Sequence, residues 1–203
     1  MKITHTIVAA ALLAAAGIGS NATADLFEAS TWNGGGNESN YSKAIGWEFT
    51  AMDDITVTHL GVLDLGATGL ADRHTVGLFN SAGDLLVSST IGAGLSGDLF
   101  ADSMIYNSVD LTTLEKGQSY YILADNWTQD DFGFGLDAVS YSDHIEWTNF
   151  SETTGSSIFD SVMHFSGEPG NLGPGFMYRV APSPGALALL GLAGCAARRR
   201  RTA

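Results

Sequence analysis

Cysteine is almost missing: the one thiol, Cys195, has no partner, so no intrachain disulfide can brace the fold. Basic side chains are scarce as well, nine lysines and arginines against 22 acids, for a formal net charge of −13. Five of those nine cations, Lys2, Arg198, Arg199, Arg200 and Arg201, sit at the two ends of the chain. The stretch between them, Asp25 to Ala181, keeps four cations against all 22 acids, a balance of about −18. Such a field repels nucleic acid and anionic lipid and favours solubility or cation binding, which excludes a nucleic-acid partner. Long hydrophobic runs are absent. The apolar stretches Ile7 to Ile18 and Ala186 to Ala197 both fall short of the roughly 20 residues of a membrane-spanning helix. Familiar catalytic signatures are absent too. There is no Gly-x-Ser-x-Gly elbow, P-loop or dinucleotide fingerprint, and Gly34-Gly35-Gly36 has no lysine with which to cradle a phosphate. His59, His74, His144 and His164 fall at no metal-ligand spacing.

The ends read as addresses. Met1-Lys2-Ile3 is a basic start, Ile7 to Ile18 a short apolar core, and Ala22-Thr23-Ala24 supplies small residues at the −3 and −1 positions. Those are the three parts of a secretory signal, with Ala22 and Ala24 as its recognition residues and cleavage by signal peptidase expected before Asp25. No cysteine follows the apolar core, so the new N-terminus has no thiol for a lipid anchor. At the other end Pro182-Ser183-Pro184 precedes the apolar Ala186 to Ala197 and the cluster Arg198-Arg199-Arg200-Arg201. Basic flanks stay cytoplasmic, so this tail is expected to enter the membrane with its arginines inside. Cys195 reads as a small apolar filler within it, acylation at the membrane boundary being the alternative.

The order of Pro box, Leu/Ala/Gly-rich helix and terminal arginines resembles the PEP-CTERM sorting signal, with Ser183 where that family usually has Glu. The resemblance implies recognition by an exosortase-type membrane enzyme that cuts near the Pro box. The tail, 182–203, is then an address to be removed, as in a GPI signal, after a transient inner-membrane stage. A permanent tail anchor is the other reading.

Between the ends, 25–181 is of ordinary single-domain size. Its periodicity is that of strands: Ile55 to Leu60 and Thr75 to Phe79 alternate, and Leu85 to Ile91 follows the polar turn Asn80 to Asp84. Ser119 to Leu123, introduced by the turn Glu115 to Gln118, comes next, and Phe132 to Phe134, Ile145 to Trp147 and Phe176 to Val180 complete the set. No long segment has helical spacing. Short strands between Gly, Asn, Asp and Ser clusters predict an all-β fold, an antiparallel β-sandwich of jelly-roll-like or Ig-like kind. The phrases Trp47 to Thr50, Ile55 to Leu63, Thr75 to Leu86 and Leu114 to Ile122 resemble an uncharacterised β-sandwich domain of secreted proteins, with no catalytic residues to carry over.

Candidate sites are few. Asp125, Asp130 and Asp131, with Asp137 and Asp143 further on, crowd one stretch, and hard oxygen ligands on loops suit calcium. Solvated loop acids are the plainer reading. Of the four tryptophans, Trp47 reads as core, whereas Trp127, beside Asn126 in a polar loop after a strand, is the candidate for stacking on a sugar ring, a core or loop-packing role being its plainer reading. Glu48, Glu115 and Glu146 lie in or beside strands, where two could face each other as a glycoside hydrolase needs. The expectation is an exported, non-enzymatic surface or extracellular-matrix protein. A carbohydrate-binding module with structural calcium and extracellular polysaccharide as partner is the alternative, and a glycoside hydrolase comes third.

Overall fold

Alternation of apolar residues lets a strand bury one face, and the computed structural model, which describes residues 25–135, 139–166 and 172–181, contains strands and no helix among those residues. The expected signal segment with Ala22 and Ala24 lies outside them, as does Asp137. So do the residues assigned to the sorting tail: Pro182, Ser183, Pro184, Arg198, Arg199, Arg200 and Arg201. Numbered along the chain, one five-stranded sheet runs in the spatial order β1 (Phe27–Glu28), β15 (Pro174–Val180), β5 (Ile55–Leu63), β9 (Met104–Leu114), β8 (Leu99–Ala101). A six-stranded sheet runs β14 (Val162–Phe165), β13 (Ile145–Thr153), β4 (Ile45–Ala51), β10 (Ser119–Ala124), β6 (His74–Asn80), β7 (Leu85–Ile91). Two small ladders join β3 (Gly36–Glu38) to β11 (Phe132–Phe134) and β2 (Ser30–Trp32) to β12 (Val139–Tyr141). Every strand pair is antiparallel. The all-β, antiparallel expectation therefore holds, and the arrangement is sandwich-like.

The main core lies between the two large sheets. Ile45, Trp47, Phe49 and Ala51 face it from β4, Tyr120, Ile122 and Ala124 from β10, and Ile55, Val57, Leu60 and Val62 from β5. In β5 the inward set changes parity after Val57. A register shift between Val57 and His59 supplies the extra residue that keeps Leu60 and Val62 pointing inward. Trp47 bridges the sheets: its ring stacks on Phe176 of β15 at 5.8 Å and 17°. Its Nε1 donates to the carbonyl oxygen of Pro174 at 2.9 Å. Strand β10 is apolar on both sides, because Tyr121 and Leu123 enter a second cluster with Ala44, Phe79 and Ile158 on the sheet's outer face.

The outer face of the five-stranded sheet is crossed by one side chain. Tyr106 of β9 pairs with Gly61, and Gly61 with Gly175. A Cβ at Gly61 would lie 2.4 Å from the Tyr106 ring, and one at Gly175 would lie 3.9 Å from its hydroxyl. Those two glycines leave the channel through which Tyr106 reaches β1, where its hydroxyl donates to Glu28 at 3.2 Å. Asp102 and Ser103, both at positive φ (42° and 66°), form the tight β8–β9 hairpin that brings Asp102 to the same carboxyl group. Burial pushes Glu28 up to about 7, and Asp102 adds to the rise while the Tyr106 hydroxyl opposes it.

The folded protein therefore binds this proton more tightly than the unfolded chain. The stabilisation is complete below the ordinary value of 4.5 and is lost as pH rises through about 7. His59, lowered mainly by burial, tilts stability the other way, so the informative quantity is a difference. Melting temperature measured against pH for wild type and Glu28→Gln should diverge progressively between pH 4.5 and 7. Parallel curves across that window would contradict the role given to Glu28.

Candidate functional site

Residues 154–161, between the ends of β13 and β14, cross the outer face of the six-stranded sheet as a strap. Ile158 anchors it, 1% exposed and packed in the cluster with Phe79, Tyr121 and Leu123. Ser156 borders a polar cleft of about 310 Å³, whose other walls include Tyr41, Arg73, Thr75, Asp125 and Asn126. Two of the residues singled out in the sequence, Asp125 and Asn126, thus line one depression.

Their neighbour Trp127 does not. The stacking candidacy falls and the plainer packing reading stands: Trp127 is fully buried, with Nε1 donating to the Ala124 carbonyl at 2.8 Å and its ring against His74 and Phe132. The cause is local. Asn126 takes φ 66°, a left-handed conformation that Asn tolerates, and this turns the next side chain into the core. Its own Nδ2 donates to the Arg73 carbonyl at 2.8 Å.

The aspartates are committed to the protein's own donors. Asp125 Oδ1 accepts the Thr75 amide at 2.6 Å, and Asp131 accepts the Asn37 side-chain amide. Asp130 accepts the Ala71 and Asp72 amides at 2.7 and 2.8 Å, and its Oδ2 lies 3.0 Å from Nε2 of His74. That histidine is fully buried, and its Nδ1 donates to the Asp125 carbonyl at 2.6 Å, since a carbonyl oxygen only accepts. Sequence spacing gave no hint of this pair, whose partners are 56 residues apart. Among the described residues no three His, Cys, Asp or Glu side chains gather as a metal ion would need.

The cleft's electrostatics come from its rim. Glu152, 7% exposed, accepts from the Tyr41 hydroxyl and from Lys43 Nζ. Burial raises the Tyr41 phenol, and Glu152 adds to the effect. Arg73 is exposed and forms no ion pair among the described residues, so it offers the cleft a free cation in an acidic domain. The arrangement presents hydroxyls, an amide and a guanidinium, which suits hydrogen bonding to a polar ligand.

Of the three glutamates considered for hydrolysis, Glu115 is exposed in the turn after β9, while Glu48 and Glu146 share the outer face of the six-stranded sheet. Glu48 belongs to a Ser–His–Glu trio that spacing did not show. Ser151 Oγ is 2.9 Å from Nδ1 of His164, and Glu48 Oε2 is 3.8 Å from the same nitrogen. A nucleophile relay needs serine and acid on opposite ring nitrogens. Here both lie at Nδ1 and Ser151 is fully buried, so the trio does not activate a nucleophile in this arrangement.

The Asp130 contacts yield a stability prediction. Leaving buried hydrogen-bonding groups without their partner typically costs about 1–3 kcal/mol. Asp130→Ala should lose about that much in urea unfolding with chelator present, because its work is direct bonding to His74 and two amides. A loss that appears only when calcium is added would assign the carboxylate to an ion instead.

Compared with protein-family models, curated proteins and solved structures, the chain matches none, and its own residues and geometry carry the functional reading.

Proposed function

We propose that the protein is an exported, non-enzymatic component of the cell surface or extracellular matrix. In this reading 25–181 is a β-sandwich of jelly-roll-like or Ig-like kind and is the cargo. The signal ending in Ala22-Thr23-Ala24 sends it out. The tail of Pro182-Ser183-Pro184, Ala186 to Ala197 and Arg198-Arg199-Arg200-Arg201 sorts it. The observation that carries the proposal is the order of those parts around a domain with about −18 of charge, which suits an extracellular, soluble body and no polyanionic partner. The partners implied are signal peptidase and an exosortase-type enzyme.

A second reading, a carbohydrate-binding module, is favoured by the cleft beside Asn126, whose hydroxyl, amide and guanidinium groups match the donors and acceptors of a sugar. The two readings are compatible, since a matrix protein can hold polysaccharide.

The tail is open to direct test in a host that carries the sorting enzyme. Its apolar stretch is short and rich in Ala and Gly, so insertion is marginal and depends on the arginines remaining cytoplasmic. Replacing Arg198, Arg199, Arg200 and Arg201 by Gln should release full-length, uncut protein to the medium. Pro182→Ala with Pro184→Ala should instead leave it inserted and uncut. Intact mass of membrane and secreted fractions reads both. Wild-type surface protein that retains its four arginines would make the tail a permanent anchor.

A further inference from the structure

On the far side of the strap from Asn126 lies a second cleft, of about 340 Å³, bordered by Gly83, Tyr121, Phe159, Asp160 and His164. Strand register places its Tyr121 and His164 in a row on the sheet's outer face. Phe79, Tyr121, Glu48 and Asn149 stand side by side across β6, β10, β4 and β13, and Ser151 and His164 form the neighbouring pair across β13 and β14. Phe79 and Tyr121 stack at 5.0 Å and 8°, and the His164 ring meets Tyr121 edge-on at 5.4 Å. Asn149 Nδ2 donates to Glu48, and Nδ1 of His164 is held by Ser151. These contacts fix the row before any ligand arrives.

Three groups are left over. Among the described residues neither the Tyr121 hydroxyl nor Nε2 of His164 has a hydrogen-bond partner. The third is Phe159. It stands on the strap 66% exposed, its ring edge-on to Phe79 at 6.4 Å, although the adjacent Ile158 is buried. An exposed ring on the strap, beside a free phenol and a free imidazole nitrogen on the sheet, is an amphipathic surface of small-ligand size.

We propose that this second cleft binds pyranose units of a polysaccharide that carries no carboxylate or sulfate groups. The inference rests on the carbohydrate reading above and adds to it a second site, apart from the cleft beside Asn126, and a ligand class. A pyranose presents a C–H face and a rim of hydroxyls that donate and accept. Phe159 takes the face. The Tyr121 hydroxyl, His164 Nε2 and the Asp160 carboxylate take the rim, Asp160 also accepting the Ser157 amide at 2.9 Å within the strap. Charge selects the class. Asp160 at the cleft and about −18 over the domain repel a polyuronate or sulfated chain, and leave an uncharged one unopposed.

The test is binding of the full-length chain, purified in detergent, to immobilised hydroxyethyl cellulose, with alginate as the anionic arm. Wild type should bind the neutral glucan and not alginate, and Phe159→Ala should weaken binding about five- to tenfold. Because Phe159 is exposed, an unchanged melting temperature in that variant keeps the comparison clean. Leu111→Ala, an exposed residue of the five-stranded sheet, should alter affinity less than about twofold. Undiminished binding by Phe159→Ala together with loss in Arg73→Ala, at the first cleft, would move the site to the first cleft, overturning this proposal but keeping the carbohydrate reading. Preference for alginate would overturn the ligand class. Binding to neither polysaccharide would overturn both the site and the reading beneath it.

Discussion

The indole of Trp47 carries the structure's central constraint. It leaves β4 in one sheet, stacks on Phe176 in the other, and donates its only N–H to the Pro174 carbonyl across the gap. Phe49, Tyr141 and Tyr178 close around that contact at ring separations of 5.1 to 5.9 Å. With no disulfide available, such aromatic burial must supply the inter-sheet cohesion. Truncating a buried tryptophan typically costs about 3–5 kcal/mol, a large part of a domain's net stability. The hydrogen bond adds direction, because an unpartnered indole N–H in that core would be penalised. Trp47 is thereby held to one depth and the two sheets to one relative placement.

From that placement follows the division of labour on the outer faces. The five-stranded sheet is sealed by Met104, Tyr106, Leu172 and Met177 with Trp32 and Val139 from the small ladder, and Tyr106 lies across two glycines to reach Glu28. Among the described residues the six-stranded sheet is roofed by the strap, through Ile158, with a polar cleft on each side. Buried Glu152 and the His74–Asp130 pair stiffen the first cleft's surroundings, and the Glu48–Asn149–His164 row stiffens the second. Around both clefts the acids are held by the fold's own hydrogen bonds, while among the described residues the Tyr121 hydroxyl and His164 Nε2 are left without a partner.

Much of this was legible where alternation was clean or a polar turn marked a hairpin. Leu85–Ile91 and Phe132–Phe134 form strands with the bounds their pattern implies, and the Asn80 to Asp84 turn closes the hairpin. Strand β9 was not, since its exposed face of Ser108, Asp110, Leu111 and Thr113 and its half-buried Asn107 and Thr112 read as a polar loop. Strand β13 looked shorter than it is because a register shift between Trp147 and Asn149 breaks its alternation. Trp127 stayed open between stacking and packing because its neighbours are polar, while the informative residue is Asn126, suited to the left-handed turn that buries the ring. The His74–Asp130 and Ser151–His164 contacts depend on strand register and on loops meeting at a distance, which composition and spacing do not encode.

Native-state hydrogen exchange tests the central claim most directly. If one aromatic core couples both sheets, amides of β4, β10 and β6 in one sheet and of β5 and β15 in the other should exchange only through a common global opening. The two sets should then report the same free energy, and Trp47→Phe should lower both equally. The strap at 154–161 should exchange sooner, as a local unit held by Ile158. Two sheets with separate exchange free energies, or a Trp47→Phe effect confined to β4 and its neighbours, would contradict the account.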